Sequence, residues 1–265
     1  MSNLIAARGM PATAEPSVEE ARRLPRQLPA LQLVALGLAP GAAGAVVYVA
    51  LAAAVTAAGY PPIAALLIAI VIAIVPIEVG ALVVARRVSR PRAEPLIPYR
   101  RKTPWRTVAW LVPLLLLAAV AGSVALTPVD GVLQTYVFGG LPGWFKNPLD
   151  VNAVGAYSRS AWITTLAVYM VLNGVAGPIV EELYFRGWLL PRMERYGRWA
   201  PLFNACLFSL YHFWMPWGFL SRVAAVAPYI YAVRWRRNIY IGIAVHILLN
   251  CIGGLLVVAQ IASRL

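Results

Sequence analysis

The chain has 265 residues, 61% of them hydrophobic and 12% charged, with a mean hydropathy of +0.72; a water-soluble domain cannot bury that much apolar surface. Its formal net charge of +13 would suit a nucleic-acid binder, but the arginines cluster between apolar runs and form no face interleaved with stacking aromatics. A soluble fold is therefore excluded, and nucleic acid is not expected as a partner.

Residues 1–30 hold Pro11, Pro16, Pro25, Pro29, Glu15, Glu19 and Glu20 and no apolar core of a signal peptide, so they read as a flexible cytoplasmic tail that is not cleaved. The runs 31–58, 63–85 and 108–126 are almost free of charge. Each is long enough for the ~20 residues a bilayer crossing needs. Within lipid every backbone donor and acceptor must pair internally, and the alternating pattern of a membrane barrel is missing, so the spans are helical. The expected fold is all-α: a polytopic integral membrane protein with seven or eight transmembrane helices.

Gly59, Pro61 and Pro62 predict a tight turn between the first two spans, and Pro76 a kink in the second. The segment 86–106, broken by Pro91, Pro95, Pro98 and Pro104, reads as a linker. N-terminal helices thus fill 31–126. Residues 127–155 combine Gly139, Gly140, Pro142 and Pro148 with Tyr136, Trp144 and Phe145, an external loop lying partly in the interface. Arginine clusters at 22–26, 86–106, 192–198 and 234–237 mark the cytoplasmic side, which puts the N-terminus in the cytoplasm. The Ala- and Arg-rich composition points to a bacterial plasma (inner) membrane.

From residue 156 to 265 the helices become shorter and more polar, with candidates at about 159–177, 178–191, 199–214, 217–233 and 239–262. A break is expected at Gly174, Gly177 and Pro178. Three groups place polar or anchoring residues four apart: Glu182 with Arg186 beside Glu181, Phe208 with His212, and His246 with Asn250. Residues so spaced share a helix face. Both histidines of the chain fall in these groups. At 1.5 Å per residue, Glu181 lies roughly 16 Å from Arg192, His212 roughly 21 Å from Arg198 and His246 roughly 14 Å from Arg237. The groups should converge near mid-membrane, in a cavity reached from the cytoplasm.

An intramembrane carboxylate pair is a functional signal, because each buried charge costs a few kcal/mol. Glu182 and Arg186 form a favourable i, i+4 pair. Glu181 is left to accept a proton from water, its pKa raised by desolvation. His212 would orient that water, while His246 and Asn250 would donate to the oxyanion of a tetrahedral intermediate. Gly242 and Gly254 continue the third stripe and would admit a close neighbour. Glu78 reads as a structural partner for a loop arginine or a snorkelling residue, Cys206 and Cys251 as small hydrophobes turned away from the histidines, and Trp214 with Trp217 as an interface belt.

In order and spacing these groups resemble the CPBP family, the CAAX prenyl endopeptidases and bacteriocin-processing enzymes also called Abi or Rce1-type intramembrane proteases. Their pattern is EExxxR, FxxxH and HxxxN, and the resemblance covers about 156–262. It implies a membrane-embedded endopeptidase in which Glu181 and His212 activate water, His246 and Asn250 serve the oxyanion or position substrate, and Glu182, Arg186 and Phe208 support them. Some descriptions of the family imply zinc, for which Glu181, His212 and His246 would be the ligands; HExxH is missing, and a glutamate-activated water with no required cofactor is preferred. The substrate would be a membrane-associated protein or peptide, prenylated or leader-bearing. The alternatives are a catalytically silent scaffold or bacteriocin-immunity protein of the same family, and a small transporter, which the missing internal repeat disfavours.

Overall fold

The computed structural model describes residues 25–89 and 94–265. Residues 1–24 of the expected tail, with Arg22 and Arg23, and the linker residue Pro91 lie outside the described residues. Among those described there is no strand, only an isolated bridge between Arg100 and Asn238. Five helical stretches are long and apolar enough to cross a membrane: Ala30–Ala57 (α1), Ile63–Ser89 (α2), Trp105–Val137 (α3), Arg159–Tyr211 and Ile239–Ala262.

The all-helical membrane fold is as the sequence indicates; the count of seven or eight spans is not met. Arg159–Tyr211 folds back on itself. Residues 159–189 (α4) run into a tight turn, Leu190–Trp199, where Gly197 takes φ 55°, a left-handed conformation that favours glycine. The return helix Ala200–Tyr211 (α5) has 12 residues, too few to cross. Phe219–Arg236 (α6) carries three arginines and also falls outside the five. Ile239–Ala262 (α7) completes the bundle.

Prolines bend these helices without ending them. A proline removes one backbone donor and crowds the preceding turn, and α2 answers Pro76 with a widened turn at Ile70–Ile74. In α4 the turn Leu172–Ala176 is widened ahead of Pro178, so the expected break between residues 177 and 178 is a bulge in one continuous rod. α3 likewise continues through Pro128 to Val137. The segment assigned to an external loop from residue 127 onward is helical over its first eleven residues.

Close packing fixes the centre of the bundle. Gly37, Gly41 and Gly44 on α1 are buried. A Cβ at Gly41 would collide with the backbone carbonyl of Tyr211, and one at Gly44 with Ile74. α1 thus lies against α5 and α2 at a distance only glycine permits. The arginine-rich end is closed. Tyr99 donates to Glu194, whose carboxylate also binds Arg234 at 2.6 Å; burial and that carboxylate push the Tyr99 hydroxyl above its ordinary range. Gln27 donates to the Pro191 carbonyl at 3.0 Å and the Leu28 amide to Arg192 at 3.2 Å, so the last residues of the expected free tail, 25–29, are docked.

Candidate functional site

α4 brings two adjacent glutamates to the middle of the bundle, and their surroundings differ completely. Glu182 is fully buried, and its Oε1 meets three groups: Arg186 Nη1 at 3.3 Å, the Tyr229 hydroxyl at 3.2 Å and His246 Nδ1 at 3.0 Å. Arg186 also donates to Tyr229 at 3.1 Å and stacks over the Phe208 ring, 4.1 Å from its centroid. A cation over an aromatic face in a dry site is strongly favourable. Phe208 is therefore the platform on which the buried guanidinium of Arg186 rests. Gly242 makes room for this network, since a Cβ there would stand 2.5 Å from Glu182 Oε2; Gly254 does the same for Met170. Both glycines fulfil their expected part.

Glu181 faces the other way, into a cavity of about 540 Å³. Its Oε1 accepts from the Tyr211 hydroxyl at 3.3 Å, and its Oε2 lies 3.7 Å from His246 Nε2. His246 thus bridges the two carboxylates, one through each ring nitrogen. The imidazole at ion-pair distance from Glu181 is therefore that of His246. His212 lines the same cavity but stands just past the end of α5, with φ −81° and ψ 58°, not inside a helix running to 214. Its Nδ1 lies 2.8 Å from the Phe208 carbonyl. A carbonyl only accepts, so in the neutral ring Nδ1 carries the proton and Nε2 the lone pair.

Asn250 also lines the cavity. Its Nδ2 donates to the Asn173 carbonyl at 2.8 Å, in the widened turn of α4. Such turns expose carbonyls that a regular helix would consume, and here one of them orients the amide. The second Nδ2 hydrogen and Oδ1 are left for other partners. Glu181, His212, His246 and Asn250 therefore share one cavity, while Glu182, Arg186 and Phe208 form the packed wall behind it. The zinc set is not assembled: among the described residues no three His, Cys, Asp or Glu side chains stand close enough to hold a metal ion.

Several functional candidates escaped the sequence reading. Glu78 of α2 is wholly buried, lines the cavity and has no hydrogen-bond partner on either oxygen. It neither pairs with a loop arginine nor snorkels. Buried carboxylates are nearly always bonded, and the groups acting on this one are Glu181, the Tyr211 hydroxyl and Arg186. Arg222 of α6 is the one Lys or Arg among the described lining residues; it donates to the Ser209 carbonyl at 3.2 Å, and Asp130 and Glu181 are the acids that act on its charge. Tyr211 was passed over as part of the second motif. Its signal was its position next to His212, but only packing against α1 turns its hydroxyl to Glu181. Trp214 and Trp217 are not an interface belt: both line the cavity, Trp214 against Tyr211 and His212 and Trp217 against Phe145.

The cavity extends from the glutamates toward Thr127, Asp130 and Gln134 of α3 and Gly253 and Gly254 of α7, the halves of those helices remote from the arginine-rich loops. On the arginine-rich side Phe185, Leu189, Tyr229, Ile230 and Val233 are fully buried. The expected entrance from that side is shut by packed core.

Residues 163–252 match the model of a protein family described as type II CAAX prenyl endopeptidase Rce1-like. The matched segment begins in α4, takes in all three motifs and ends in α7, which bears out the resemblance to the CPBP and CAAX endopeptidases. Neither the curated proteins nor the solved structures yield a match to the chain.

Proposed function

Starting from an Rce1-like segment that spans every residue of the three motifs, in a family of proteases, we propose that this integral membrane protein is an intramembrane endopeptidase. It hydrolyses a peptide bond of a membrane-associated protein or peptide with a water activated at Glu181. The observation that carries the proposal is the shared cavity: a carboxylate, two imidazoles and an amide, drawn from two helices and the end of a third, line one chamber inside a largely apolar bundle.

In this reading the water sits between Glu181 and His212. Glu181 takes its proton as the oxygen attacks the carbonyl, and returns it to the leaving amine. The lone pair on His212 Nε2, fixed by the Phe208 carbonyl, accepts the second water hydrogen bond and sets the attack direction. The free Nδ2 hydrogen of Asn250 donates to the developing oxyanion, where a fixed donor in a site shielded from bulk water is most effective, while His246, whose Nδ1–H goes to Glu182, accepts a substrate N–H at Nε2 and positions the peptide. Tyr211 holds Glu181 in place. Glu182 fixes the orientation of His246 through Nδ1, the role a second carboxylate serves for any catalytic imidazole. Arg222 supplies positive charge for an acidic group of the substrate.

The test compares the membrane proteome and released peptides of cells carrying the normal chain with those carrying Glu181→Gln. A protein left uncut in the variant, with the variant folded and normally abundant, is the expected result. Identical peptide profiles from the two strains, at equal abundance, overturn the assignment.

A further inference from the structure

The cavity has a direction, and so do the charges at the two ends of the bundle. Arg86, Arg87, Arg100, Arg101, Arg195 and Arg237 stand at the end where α2 finishes and α3 and α7 begin, while the opposite end holds Lys146, Arg159 and Arg264. In a bilayer such asymmetry places the arginine-rich end in the cytoplasm. From Glu181 the cavity leads away from that end, past Ser123 and Thr127 to Gly253. Toward the cytoplasm the motif residues are backed by the dry Glu182–Arg186–Tyr229 network.

We propose that the cavity is entered from the extracytoplasmic side, so that its substrate is a segment of an exported or membrane-inserted chain presented at the outer leaflet, not a carboxy-terminus offered from the cytoplasm. The substrate half of this statement rests on the peptidase reading; the route of entry does not. The polar lining fits such a passage. Ser123, Thr127, Asp130 and Gln134 follow one stripe of α3 at spacings of three and four, the face of a helix that borders water and not lipid. A peptide drawn along it would keep its backbone hydrogen-bonded on the way to Glu181, which an apolar crevice would not allow. Arg222 lies on the same route and would favour a segment bearing a carboxylate.

The experiment uses the full chain in native membranes with Cys206 and Cys251 replaced by alanine. Single cysteines are placed at Ser123→Cys, nearly isosteric and half-buried on the cavity wall, and at Gly253→Cys, where added side-chain atoms meet nothing. Arg101→Cys marks the arginine-rich face. A membrane-impermeant sulfonated maleimide is added to right-side-out and to inverted vesicles. The expected pattern is labelling of the cavity cysteines at least 10-fold faster in right-side-out vesicles, with Arg101→Cys showing the reverse. Cavity cysteines labelled faster in inverted vesicles, or inert in both while Arg101→Cys reacts, overturn the proposal. Labelling as expected in a chain that cuts nothing would retain the route and remove only the substrate.

Discussion

Glu181 and Glu182 are neighbours in the chain, yet one belongs to a closed network and the other to an open chamber. About 100° of helix rotation separates them. Glu182 is saturated on one oxygen by Arg186, Tyr229 and His246, with no route to the cavity. Glu181 has a tyrosine, an imidazole at ion-pair distance and space. The comparison separates what a buried charge needs in order to exist from what it needs in order to react. The first requires a counter-charge in direct contact; the second requires open space in which one more partner can arrive.

Substitution at each glutamate tests that separation most severely. Glu181→Gln should leave folding intact and lower the cleavage rate by about 10²–10⁴-fold, the scale of a lost general base, read from turnover of a cleaved substrate in membranes. Arg186→Ala should do the converse, stranding Glu182 without its cation and lowering stability by about 3–5 kcal/mol, read as lost abundance and earlier thermal unfolding in detergent. If Arg186→Ala folds normally and is merely inactive, the network is part of the chemistry and the distinction collapses.

Gly242→Ala probes the boundary between the two regions. The added methyl group presses on Glu182 Oε2 and should reduce stability by about 1–3 kcal/mol, as overpacking does, with cleavage per folded molecule little changed. Smaller still is Tyr211→Phe, which removes one hydrogen bond from Glu181. It is worth about 1 kcal/mol and should slow cleavage several-fold at saturating substrate. Arg222→Gln should affect KM more than kcat, and only for substrates with an acidic group near the cut.

Much of the site could be read directly, because local spacing is what the motifs consist of. Glu181, Glu182, Arg186, Phe208, His212, His246 and Asn250 all lie at or beside the cavity, as their intervals of four suggested. Glu78 could not be assigned in this way. It sits alone in an apolar run of α2, and a lone glutamate in such a run gives no sign whether it will meet arginine, lipid or a cavity. Tyr211 and Arg222 were hidden for the same reason, their roles depending on α1 and α5 and not on their own neighbours.

The order of apolar runs, the arginines between them and the three motifs determined by themselves that this chain is a helical membrane protein with an Rce1-like segment. Those are properties of composition and period, which the bilayer converts into structure residue by residue. Which imidazole stands beside Glu181 and where the cavity leads were decided by packing alone. A proline that reads as a stop becomes a bulge when a neighbouring helix holds the rod on course, and the glycines of α1 and α7 set how closely those neighbours approach. Distances across a bundle arise between segments, so no single segment carries them.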